Sequence, residues 1–91
     1  MDVQVHITPA SVNLGEPVTI TYSTTGFAGT TLTIDNIPNP IDLGSGTVSG
    51  SLRVLPVTAG GLNVEIKGSG VEDGANDYLA EMTKTAFCQV N

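Results

Sequence analysis

Apolar and polar side chains alternate along most of this chain, which is the signature of half-buried β-strands. The stretch DVQVHIT sets Val3, Val5 and Ile7 on one face and Gln4, His6 and Thr8 on the other. PVTITYST sets Val18, Ile20 and Tyr22 inward, and TTLTID repeats the pattern with Leu32 and Ile34. TVSGSLRVL alternates through Val48, Gly50, Leu52 and Val54, and LNVEIKG through Leu62, Val64 and Ile66. The last strand is TKTAFCQV. Turn residues separate these runs: Asn13–Pro17, Gly26–Gly29, Pro38–Pro40, Gly44–Gly46 and Ala59–Gly61. Pro38 and Pro40 cannot donate to a ladder, so NIPNPIDLG reads as a crossing or an edge. Short strands with regularly spaced turns predict one all-β domain over residues 1–91, a sandwich or barrel.

The core must be aliphatic, because the chain holds 2 Phe, 2 Tyr and no Trp. Tyr22 and Phe87 are expected inward, Phe27 and Tyr78 in loops. Cys88 is the single cysteine, so no intrachain disulfide forms, and it reads as a small strand residue.

Two stretches carry a resemblance. GEPVTITYSTTG (Gly15–Gly26) resembles the second strand of immunoglobulin-like domains, and LRVLPVTAGGLNVEIKG (Leu52–Gly68) resembles their corner between strands E and F. With VQVHITPASVNLG as a first strand, the likeness covers about two-thirds of the chain and is nearest to bacterial and phage immunoglobulin-like modules. It implies a β-sandwich of about seven antiparallel strands in two sheets. Tyr22 and Val64 stand where antibody-type domains place the core disulfide. Leu62 replaces the corner tyrosine, and Leu32 or Ile34 the core tryptophan. Aliphatic packing must therefore stabilise the sandwich.

The resemblance implies a non-catalytic module of a bacterial surface, secreted or phage structural protein that spaces, displays or adheres. Its partners would be neighbouring domains or other proteins, outside the cell or on a virion. The alternative is a module binding glycan or cell-wall polymer through loop rings, with Phe27 and Tyr78 as contacts. Such folds host many roles, so function must be argued from the site.

Charge narrows the classes. The net charge is −6, and Arg53, Lys67 and Lys84 are the only cations. That disfavours nucleic acid and anionic membranes, whose binding rests on neutralising phosphates. Apolar runs are too short for a transmembrane segment, and no signal-peptide pattern is present. Met1 followed directly by a strand suggests an excised domain or a mature form with an added start residue. His6 lies on a polar face, and no nucleophile elbow, phosphate loop or dinucleotide motif occurs, so no enzyme is expected. Lys67 and Lys84 are both expected outward, beside acids, where a neutral amine for an isopeptide bond is disfavoured.

The stretch VEDGANDYLAE concentrates Glu72, Asp73, Asp77 and Glu81. Treated as a hairpin turning on Gly74-Ala75, it places Glu65 opposite Lys84, Leu62 opposite Phe87 and Lys67 opposite Met82. Glu72 then faces Asp77. The expectation is a solvated acidic turn. A calcium site built from Glu72, Asp73, Asn76 and Asp77 is the alternative, since calcium takes about six to eight oxygens. No other cofactor is expected.

Overall fold

The computed structural model describes residues 2–71 and 81–91. Six strands account for most of them: β1 (Asp2–Thr8), β2 (Ser11–Val12), β3 (Val18–Ile34), β4 (Ile41–Val54), β5 (Gly60–Val71) and β6 (Glu81–Val90). They form one barrel-like sheet in the order β1-β3-β5-β6-β2, with β4 on the other side of β3. All pairings are antiparallel except β2 with β6. The count is six rather than about seven because β3 and β4 are long and each continues past a turn signal.

The length of β3 explains the architecture. Its first part, to Thr25, pairs with β1, and from Phe27 onward it pairs with β5. β4 follows it along the opposite side throughout. Six residues of straight strand span about 20 Å. Yet the hydroxyls of Thr24 and Thr30 lie 3.0 Å apart. The strand therefore folds back on itself between them.

Glycines and bulges make this corner. Buried positions along β3 run Val18, Ile20, Thr24, Phe27, Thr30, Leu32 and Ile34, with two three-residue steps replacing the period of two. Register shifts against β4 fall at those steps. A bulge admits an extra residue and sharpens the local twist. Gly26 and, across on β4, Gly46 have φ of 81° and 76°, which side-chain-bearing residues rarely adopt. Each three-residue step keeps an inward side chain inward while the strand turns.

The core contains most of the aliphatic residues that alternation assigned: Val3, Val5, Val18, Ile20, Leu32, Ile34, Leu62, Val64 and Ile66 are buried, whereas Ile7, Val48, Leu52 and Val54 are partly buried. Val12, Phe27, Cys88 and Val90 complete it. Removing each such side chain from water contributes about 1.5–3 kcal/mol. Tyr22, where an antibody-type domain has cysteine, is only partly buried and lies over Gly50 of β4. Cys88 is a free, buried thiol that donates to the Pro9 carbonyl at 3.3 Å.

The β5–β6 register differs from the expected one. Glu65 faces Thr85, Lys67 faces Thr83 and Leu62 faces Cys88. A one-residue slip moves every side chain of a strand to the opposite face. The expected pairing of Leu62 with Phe87 would bury Phe87 with Thr85 and Gln89 and expel Cys88 and Val90. Burial decides instead for Ala86, Cys88 and Val90, and Phe87 is 54% exposed. An exposed ion pair contributes about 1 kcal/mol at most, so Glu65–Lys84 pairing cannot outweigh that exchange. Lys84 accordingly shares the inward alternation, at the open end of the core, and reaches the Asp2 carboxylate at 3.5 Å.

Candidate functional site

Of the acidic stretch, Glu81 opens β6 and lies 3.5 Å from the Lys67 ammonium, whereas Glu72, Asp73, Asn76, Asp77 and Tyr78 lie outside the described residues. The facing of Glu72 and Asp77 rested on the register corrected above. Among the described residues, no group of three or more His, Cys, Asp or Glu side chains is gathered closely enough to hold a metal ion. No helix there is long and apolar enough to cross a membrane.

Phe27 is placed differently from its loop expectation. It lies within β3, is 1% exposed, and packs its ring on Gly68 of β5. A β-carbon at Gly68 would stand 2.5 Å from that ring. The glycines of TGFAGT, read as a loop, are the bulge residues of a strand. A ring so enclosed belongs to the core and offers no stacking platform.

Two surface features remain. The outer face of β1, β3 and β4 is a shallow polar trough. The register aligns its side chains in rows across three strands: Gln4, Ser23 and Ser49; His6, Thr21 and Ser51; Thr8, Thr19 and Arg53. His6 is exposed in the middle row, flanked by hydroxyls. At its margin the Gln4 amide donates to Asp2 at 2.9 Å. That bond, followed by Lys84, holds the Asp2 carboxyl below its ordinary value.

The second feature is a cleft between the connections that follow β3 and β4. Ile37, Leu55, Pro56 and Val57 line it, with Asp35 and Gly61. Asp35 accepts hydrogen bonds from both the backbone and the side-chain nitrogen of Asn63, at 2.9 and 3.2 Å, tying the β3–β4 connection to β5. Ile37, Leu55 and Val57 are among the most exposed large apolar residues described.

Sequence reasoning missed a charge asymmetry that the chain displays openly. None of the 9 acidic residues falls in Val18–Ile34 or Leu43–Val54. The β3–β4 ribbon is thus nearly free of acids, and Arg53 is its one formal charge apart from Asp42. Counting acids by segment rather than over the chain would have found it.

No family model, no curated protein and no solved structure matches this chain.

Proposed function

We propose that this chain is an immunoglobulin-like sandwich module that spaces, displays or adheres within a larger surface, secreted or virion assembly. The observation carrying this reading is the pattern of strand partners. In immunoglobulin-type sandwiches strands A, B and E share one sheet and C, F and G the other. Here β1, the first part of β3 and the last part of β4 pair together, as A, B and E would. The second part of β3, β5 and β6 pair as C, F and G would. Between the two sets β3 bends at Thr24–Thr30, whose hydroxyls lie 3.0 Å apart, as a crossing from one sheet to the other would require. The stretch Leu52–Gly68 spans the end of β4 and the start of β5, the place its resemblance to an E–F corner requires.

Solution NMR tests the layering. Contacts of Ile20 or Val18 with Val64, Ile66 or Cys88 are expected, and their absence overturns the two-layer reading. Screening against glycans and cell-wall polysaccharide tests the role. The module is expected to bind none; binding abolished by Tyr78→Ala would shift the assignment to a glycan-binding module.

A further inference from the structure

We propose that β4 is a docking edge for a second copy of this chain, the two β4 strands pairing antiparallel about a two-fold axis at Gly50.

The first ground is the open side of β4. Among the described residues, β4 is hydrogen-bonded to β3 alone along its whole 14-residue length. β3 and β5 have partners on both sides, β6 also holds β2, and β1 is linked to β6 through the Asp2–Lys84 pair. An open edge presents unpaired backbone donors and acceptors, a template for another strand.

The second ground is that this edge lacks the usual guards. Proteins protect edges with charges, prolines, bulges or short strands. β4 pairs without a break from Val48 to Val54, has no proline, and carries no charge from Leu43 to Leu52. Its bulges are confined to the corner near Gly44 and Gly46.

The third ground selects the occupant. Two copies of a chain with net charge −6 repel wherever their carboxylates meet. The β3–β4 ribbon is where they do not, since all 9 acids lie outside Val18–Ile34 and Leu43–Val54. An uncharged flank offers nothing to a basic partner, whereas it permits approach of an equally acidic one. The strand is also self-complementary. With Gly50 on the axis, Val48 faces the second copy's Leu52 on the core side of the sheet. Ser49 faces the second copy's Ser51 on the outer side, and Arg53 faces an uncharged threonine. Gly50 keeps the axis narrow, because Tyr22 occupies the space over it: a β-carbon there would stand 2.6 Å from the phenol oxygen.

Charge reversal at the paired serines tests this. Sedimentation equilibrium of the wild-type chain under reducing conditions is expected to show a concentration-dependent monomer–dimer equilibrium. Backbone amides of Val48–Leu52 should exchange more slowly as concentration rises. Ser49→Lys with Ser51→Lys opposes like charges and should weaken association about tenfold or more, which is at least about 1.4 kcal/mol. Ser49→Lys with Ser51→Glu pairs opposite charges and should restore association, in a salt-dependent manner. Wild-type protein that stays monomeric at millimolar concentration overturns the proposal. So does concentration-dependent protection at Ile37, Leu55 and Val57 instead of β4. If both charged variants dissociate equally while remaining folded, the axis is not at Gly50 and the proposed pairing is wrong.

Discussion

Phe27 and Phe87 each lay a ring over a glycine of β5, one on the core face of the sheet and one on its outer face. Phe27 covers Gly68 and is 1% exposed; Phe87 covers Gly61 and is 54% exposed. At both glycines a β-carbon would stand well inside van der Waals distance of the ring. The two contacts are nearly the same locally and differ in what surrounds them. Phe27 is held by the barrel interior and cannot yield. Phe87 has solvent beside it and can rotate away. Aromatic cover of a strand glycine thus secures the fold only where packing immobilises the ring.

The comparison breaks most visibly at the core ring. Phe27→Ala should destabilise by about 3–5 kcal/mol, measured by chemical denaturation, because a large core side chain leaves a cavity. The same substitution at Phe87 should cost far less. Equal losses would mean that the exposed ring is as firmly packed as the buried one.

Next come the glycines. Gly68→Ala should cost about 1–3 kcal/mol through overpacking against a locked ring. Gly61→Ala should fall within about 0.5 kcal/mol of wild type, the range of surface changes. Gly50→Ala, beneath the half-buried Tyr22, should lie between them. Thermal or urea midpoints of the three variants rank them, and any other order refutes the role assigned to ring mobility.

The hydroxyl pair at the corner sharpens the point for polar contacts. Thr24 and Thr30 are each 1% exposed and are joined at 3.0 Å. Thr24→Val alone leaves a buried hydroxyl unsatisfied and should cost about 1–3 kcal/mol. Adding Thr30→Val should recover much of that loss, because no polar group is then stranded. Additive losses in the double-mutant cycle would show that the two hydroxyls act separately.

The smallest effect belongs to the exposed rim of β1. Asp2 has its carboxyl pKa lowered, chiefly by the Gln4 amide and secondarily by Lys84. A depressed folded-state pKa contributes stability above the unfolded value, near pH 3.9, that is lost as pH falls through the folded one. Gln4→Ala should raise the Asp2 pKa in an NMR titration and leave stability at pH 7 almost unchanged.

Much of the fold was legible because one face of each strand must exclude water. Val3, Val5, Val18, Ile20, Leu32, Ile34, Leu62, Val64 and Ile66 declared themselves by alternation alone. The register of β5 against β6 was misread by weighting a possible Glu65–Lys84 pair above burial. The alternation of Ala86, Cys88 and Val90 already contained the better answer. Phe27 was misread for a different reason: glycine marks a loop and a bulge equally, and only long-range pairing distinguishes them. Of the candidate ligand residues, Glu72, Asp73, Asn76, Asp77 and Tyr78 lie outside the described residues. The open β4 edge was legible only at its start, where the prolines marked NIPNPIDLG as a crossing or an edge and Ile41 begins β4; along the rest of the strand an edge is defined by the strand that is missing beside it.

The sequence by itself determined an all-β chain with an aliphatic core and no disulfide. Periodicity is a local property, and solvent acts on each side chain in turn. The tertiary structure decided that β3 and β4 bend together at Thr24–Thr30, that Phe27 is enclosed while Phe87 is not, and that β4 is left with an open side. These depend on which strands meet across the barrel, and residues far apart in the chain settle that only when they pack.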